Sequence, residues 1–293
     1  MSEIFLSIVI PYFNTVEYLP KLLSSIPNRE DVEVIVVDDH STEGLEQFSE
    51  IKERLSGERV LFIPPTEGRK GAGCARNIGI RAARGRYIAF ADSDDYYLPA
   101  FNEMIDKYHD SDVDMIFFGL NSYDVILNAP SNREGYIMKY LERYAHETKH
   151  SEAAELCVRY KEFYVLARFF KRSMILDNKL AFDATIKSND VYFAMLAGYH
   201  ARDFLVDLKE VYCMTKRPGS ITSEMNLKKT MTTYKVYQRY YFFLEKNLGY
   251  KKMRRMGYSL KGHLTIRLRS LKVLWYELFH GTIKCLDEGA FKS

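Results

Sequence analysis

Between residues 6 and 118 the chain alternates short runs of Val, Ile, Leu and Phe with stretches whose apolar residues recur every three or four positions. The alternation predicts strands over 6–10, 32–37, 59–63, 86–91 and 115–118, and helices over 17–26, 43–55, 72–83 and 101–108. Strands that are apolar throughout must be covered on both faces, so the expected fold class is α/β, a Rossmann-like and mostly parallel sheet flanked by helices. In such sheets ligands bind beyond the carboxyl ends of the strands. The residues that carry chemistry should therefore be those just after each run: 11–14, then Asp38-Asp39-His40-Ser41, then Asp92-Ser93-Asp94-Asp95.

The net charge of +3 conceals a division. Residues 1–224 carry a net −8, and residues 225–293 a net +11 together with twelve aromatic residues. This predicts an acidic body over 1–222 and a basic helical extension over 223–293, with the boundary just after Pro218-Gly219-Ser220. No apolar run approaches the roughly 18–20 residues that a spanning helix needs. The apolar run at 6–11 is too short for a signal peptide, and no basic residue precedes it. Cys74, Cys157, Cys213 and Cys285 lie far apart with no CxxC pair, which fits a reduced chain. A cytoplasmic protein is expected.

Three carboxylates within 92–95 repel one another unless a cation offsets them, and carboxylate oxygens suit Mg²⁺ or Mn²⁺. The alternative is a solvated turn in which Asp95 caps the following helix. Asp38-Asp39 ends a neighbouring strand and should face the same crevice, where it can accept hydrogen bonds from a base or ribose. Its alternative is again helix capping, with Ser41 or Thr42 at the start of the helix. The two features together favour a metal–nucleotide site.

Ser7-Ile8-Val9-Ile10-Pro11-Tyr12-Phe13-Asn14 and Val36-Val37-Asp38-Asp39-His40-Ser41-Thr42 resemble the opening of family 2 glycosyltransferases with the GT-A fold. Gly73-Cys74-Ala75-Arg76-Asn77-Ile78-Gly79 and Gly85-Arg86-Tyr87-Ile88-Ala89-Phe90-Ala91-Asp92-Ser93-Asp94-Asp95 continue the likeness in order. Residues 182–193, with Asn189-Asp190, and Arg217-Pro218-Gly219-Ser220 complete it. The resemblance covers roughly residues 5–222 and implies roles for single positions. Phe13 would pack on the nucleotide base, with Pro11 backbone beside it. Asp39 would read the base N–H, uracil in most relatives, and Arg76 would stand beside the nucleotide. Asp92 and Ser93 would meet the ribose and diphosphate. Asp94, with Asp92, would hold the metal (the DXD motif), and Asp190 would be the catalytic base.

The chain departs from the family pattern twice. Many relatives carry Glu-Asp where Asn189-Asp190 stands, so Asp190 loses a repelling neighbour and its ionised form should be easier to hold. Some relatives have a metal-binding His in the region of Arg217; Arg cannot ligate a cation and should hold diphosphate oxygens instead. The implied reaction is an inverting transfer of a hexosyl or N-acetylhexosaminyl group. A UDP-sugar would be the donor, and a glycan or lipid-linked acceptor of surface-polysaccharide or glycolipid synthesis would receive the sugar. A non-catalytic nucleotide-sugar-binding or membrane-scaffolding module with the same fold is the rival. A nucleotidyltransferase would need a basic Gly-rich loop after the first strand, and residues 11–14 offer none.

Other motifs weigh less. His146-Glu147-Thr148-Lys149-His150 spells HExxH, but its polar flanks predict an exposed helix and not a metalloprotease site. Gly71-Ala72-Gly73 begins a dinucleotide fingerprint that Arg76 breaks, and Cys74 and Cys157 should fill core space. Leu260, Leu264, Leu268, Leu271, Trp275 and Leu278 share one helix face, with Lys261, Arg269 and Lys272 on another. Such a helix either packs its Leu stripe on the catalytic domain with a solvated basic face, or lies on an anionic membrane at the inner face of the cell. Nothing resembles a nucleic-acid-binding module, so no nucleic-acid partner is expected.

Overall fold

A computed structural model describes residues 3–57, 59–65, 70–147, 151–217 and 226–285. In chain order the elements are β1 (Leu6–Tyr12), α1 (Leu19–Ser25), β2 (Val32–Asp38), α2 (Leu45–Leu55), β3 (Val60–Ile63), α3 (Ala72–Ala82) and β4 (Tyr87–Phe90). There follow β5 (Tyr96–Tyr97), α4 (Ala100–Tyr108), β6 (Met115–Asp124), β7 (Ala129–Pro130), α5 (Gly135–His146), α6 (Glu152–Lys161), β8 (Arg168–Lys171) and α7 (Arg172–Asp177). After these come α8 (Val191–His200), β9 (Phe204–Lys216), α9 (Leu227–Arg255, broken at Gly249) and α10 (Leu260–His280).

The strands form one mixed sheet of order β3-β2-β1-β4-β8-β6-β9-β5, with β7 on β6. Its first half is the parallel sheet expected: β1 pairs in parallel with β2 and β4, and β2 with β3. Every residue of β1 is buried, as a strand covered by helices on both faces must be. The second half differs. β8 runs antiparallel between β4 and β6, and β6 pairs in parallel with the thirteen-residue β9.

Chain order reverses between β1 and β4, which is where α/β sheets open a crevice. Pro11 helps to open it. Pairing of β1 with β4 ends at Val9–Phe90, where Val9 O accepts from Ala91 N–H (3.1 Å). Two residues on, Pro11 faces the same side, past the end of β4, so its missing N–H breaks no ladder bond.

The C-terminal helices share a core with the body. Val236, Tyr240 and Leu244 of α9 pack with Tyr160 of α6 and with Val191 and Met195 of α8. The Tyr240 hydroxyl donates to Tyr160 O (2.8 Å). Of the two arrangements expected for α10, the one with its Leu stripe packed on the body is not found. Ser270, Val273 and Tyr276 turn inward towards α9, while the Leu260–Leu278 stripe is exposed. The expected boundary at 218–222 lies outside the described residues.

Candidate active site

The loop after β1 and the loop after β2 are laced together. Asn14, at φ 49° in the left-handed region that Asn tolerates, uses its Oδ1 to accept from the N–H groups of Thr42 (2.8 Å) and Glu43 (3.1 Å). Asp38 Oδ1 accepts from Ser41 N–H (3.0 Å), so one member of the acidic pair serves the turn. The other, Asp39, is buried and accepts from Gly71 N–H (2.6 Å). Burial pushes the Asp39 carboxyl up, and the Gly71 N–H opposes the shift. Gly71 precedes α3 at φ 109°, a conformation that a side chain would strain. Phe13 leaves its ring 40% exposed at this end of the sheet, with the Lys70 ammonium 5.3 Å from its centroid.

After β4 the three carboxylates divide. Asp92 is half-open to solvent and accepts from Arg76 Nη2 (2.6 Å). Asp94 Oδ2 accepts from Arg217 Nε (2.6 Å). Asp95 is buried, accepting from the Tyr212 hydroxyl (2.9 Å) and from Thr215 N–H (2.7 Å). The same Tyr212 hydroxyl accepts from Asp92 N–H (2.9 Å). β9 therefore clamps the acidic turn at both ends. Asp95 is not the cap of α4, whose N-cap is Pro99. Ser93 is buried, and its hydroxyl bonds that of Thr15 (2.7 Å), tying the turn to the β1 loop. Burial, then the charge of Asp92, raises the Asp94 carboxyl against the pull of Arg217.

Asp190 lies across the crevice at the N-cap of α8, half-buried. Phe182 and Phe193 stack at 4.1 Å beside Phe90 and anchor its loop. Gly73 lets α3 approach, because a Cβ there would sit 2.2 Å from Asp183 O. Arg76 thus reaches both sides, with Nη1 donating to Asn189 Oδ1 (2.8 Å) as Nη2 holds Asp92. Asn189 is a ligand for this guanidinium as well as a missing carboxylate. Ionisation of Asp190 is nevertheless harder than usual: burial raises its carboxyl first, and Arg76 is the main influence opposing that.

The structure brings the three loops together, Asn14 among them, but Tyr212 and Thr15, which position the expected residues, carry no signal in the sequence. Glu162 and Arg168 were also missed. They form a buried pair at 3.6 Å near Asp190, in which burial lifts Glu162 to about 8 and lowers Arg168 to about 10. HExxH is not on one helix: α5 ends at His146, and Glu147 turns extended to accept from Ser151 N–H (2.9 Å). Its Thr148, Lys149 and His150 lie outside the described residues. Among the described residues no cluster of three or more His, Cys, Asp or Glu is arranged around a cation position.

Residues 7–171 match the profile described as glycosyl transferase family 2. The chain belongs to that family. It is 30% identical over 224 residues to poly(ribitol-phosphate) beta-glucosyltransferase of Bacillus spizizenii, covering 73% of this chain and 33% of that protein. It is 28% identical over 227 residues to poly(ribitol-phosphate) beta-N-acetylglucosaminyltransferase TarS of Staphylococcus aureus, covering 73% and 36%. The chain therefore spans about a third of the length of these two curated relatives. Among solved structures, S. aureus TarS 1–349 in complex with UDP-GlcNAc superposes with a TM-score of 0.63 at 20% identity, covering 94% of this chain and 76% of that one. Mannosyltransferase PcManGT from Pyrobaculum calidifontis, in complex with GDP-Man and Mn²⁺, gives 0.60 at 16%, covering 95% and 76%. The fold of this family 2 member is GT-A.

Proposed function

We propose that this family 2 glycosyltransferase moves a sugar from a UDP-sugar to a hydroxyl of a glycan or lipid-linked acceptor with inversion, in surface-polysaccharide synthesis at the cytoplasmic face of the membrane. The observation that carries the reading is the Arg76 bridge, which joins Asp92 on the side expected for the donor to the Asn189-Asp190 pair opposite. Asp190 would take the proton from the acceptor hydroxyl as that oxygen attacks the anomeric carbon. Phe13 would stack on the base, with Pro11 backbone alongside. Asp39 has one oxygen bonded to Gly71 N–H, and the other is suited to a base N–H. Both TarS and PcManGT are described with nucleotide sugars in complex, which supports a donor of this class.

The donor set fits Mn²⁺ or Mg²⁺. Asp92 and Asp94 are hard oxygen donors close enough for the charge of one to raise the other, and Mg²⁺ is usually held by one or two carboxylates plus substrate phosphates. A cation held by Asp94 and Asp92 would stabilise negative charge on the departing nucleoside diphosphate. Arg217 now neutralises Asp94, and it would turn to diphosphate oxygens once a cation takes that carboxylate.

The test is nucleotide release from a panel of nucleoside-diphosphate sugars, with Mn²⁺ and with EDTA. Asp190→Asn should remove turnover while leaving the thermal shift by UDP nearly intact. Unchanged turnover would take Asp190 out of the role, and equal donor affinity with and without the cation would take Asp94 out of its own.

A further inference from the structure

Helix α10 has two apolar faces, and α9 covers one. The inward side is chosen by specific pairs. Lys235 Nζ meets Glu277 Oε1 (2.5 Å), the Tyr241 hydroxyl bonds His263 Nδ1, and Arg269 lies over the Tyr234 ring (4.9 Å). Val273 and Tyr276 fill the space between. The opposite side carries Leu260, Leu264, Leu268, Leu271, Trp275 and Leu278, from 55% to 81% exposed. Leu274 and Phe279, also exposed, widen it to an arc of roughly 140° at about 100° per residue. A groove of about 210 Å³ lined by Trp275, Tyr276, Lys272, Met231 and Leu227 carries the apolar surface on to the start of α9.

Charge decides what covers this face. On the helical wheel Lys261 and Lys272 border the stripe on one side, while Arg267 on the other turns back to Glu245 of α9 (3.4 Å). Glu277 is the single acid within 260–280 and is turned inward to Lys235. Exposed Lys251 and Arg254 line the surface beside Tyr250, whose ring lies 6.1 Å from that of His263 near the start of α10. A second copy would find the 264-268-271-275-278 spacing suitable for a coiled-coil seam, but the flanking Lys261 and Lys272 would then add like charge beside it. An apolar stripe with a basic margin and a Trp within it matches an anionic bilayer surface: the Leu side chains enter the acyl boundary, and Lys261 and Lys272 reach the headgroups. Among the described residues no helix is long and apolar enough to cross a membrane, so α10 would lie along the surface.

We infer that the outward face of α10 docks this protein on an anionic lipid bilayer. Trp275 is the sole tryptophan and reports on the contact directly. The experiment adds vesicles of phosphatidylcholine alone, or with roughly one-third phosphatidylglycerol, to the whole chain and follows both flotation and Trp275 emission. Binding to the anionic vesicles should exceed binding to the neutral ones at least about tenfold, with emission moving to shorter wavelength. Leu271→Glu, at an exposed position, should keep the melting temperature and lose the binding. Lys261→Glu with Lys272→Glu should remove the preference for anionic lipid. Failure to float with either vesicle overturns the inference, as does equal binding by Leu271→Glu. A concentration-dependent dimer that Leu271→Glu dissociates would assign the face to a second copy instead. No sugar donor is present in these measurements, so their failure and a failure of transfer are separate results.

Discussion

Replacing Arg76 by Gln removes one charge while keeping an amide near its two partners. The guanidinium donates to Asp92 Oδ1 at 2.6 Å and to Asn189 Oδ1 at 2.8 Å, and its side chain is 8% exposed. A charge-assisted bond contributes about 1.5–3 kcal/mol and a neutral one about 1 kcal/mol. Asp92 is 39% exposed, so water replaces part of what it loses, and a net destabilisation of about 2–3 kcal/mol is expected. For a chain of this size that lowers the melting temperature by about 3–5 °C. A second effect follows at Asp190, where Arg76 is the largest influence opposing burial. Without it the carboxyl rises further, and the acidic limb of the kcat profile should move to higher pH, a tenfold gain in proton affinity corresponding to about 1.4 kcal/mol. Arg76→Lys keeps the charge but cannot fork to both partners, so it should lose stability with a smaller movement of the limb. The assay is the initial rate of nucleotide release against pH beside a thermal melt of each variant. If both variants lose stability alike and the acidic limb stays in place, Arg76 is only a structural bridge and the electrostatic argument fails.

Tyr212→Phe removes one hydroxyl that serves both Asp92 N–H and Asp95, so about 2–3 kcal/mol of stability should go, with an unchanged denaturant slope; a loss below about 0.5 kcal/mol would mean that β9 does not clamp the acidic turn. Glu162, lifted by burial to about 8, keeps a proton in the folded protein that the unfolded chain releases in the ordinary carboxylate range near 4.5. Folding stability should therefore fall as pH rises from about 4.5 to about 8 and then level off, and Glu162→Gln should flatten that slope; melts showing the same slope in both proteins would count against it.

The parallel half of the sheet was legible because β1, β2 and β4 are buried on both faces and so cannot avoid being apolar runs. The strand ends followed from topology alone. β8 was not legible, since Arg168 and Lys171 bracket two Phe residues and the Arg is buried against a Glu six positions earlier. Nor was β9, whose first half bears Asp207, Lys209 and Glu210 and whose register with β6 shifts at Gly119. Without β9 nothing in the sequence connects Tyr212 to Asp95, so the sequence alone does not separate Asp95, held by Tyr212 and Thr215, from Asp92 and Asp94, which face Arg76 and Arg217.

The orientation of α10 shows the same limit from the side of hydrophobicity. Periodicity says which residues share a face, and by that measure the six-residue Leu and Trp stripe is the stronger candidate for burial. The face that α9 accepts is the weaker one, with Val273, Tyr276 and Ser270, because α9 presents Lys235, Tyr241 and Tyr234 to Glu277, His263 and Arg269. Turning the helix to bury the stripe would leave Glu277 without Lys235 and Arg267 without Glu245. Apolar burial is non-directional, whereas the pairs with Glu277, His263 and Arg269 form at one rotation of the helix only. Electrostatics between helices forty residues apart in sequence thus decides which apolar face is left outward, and neither helix taken alone holds that information.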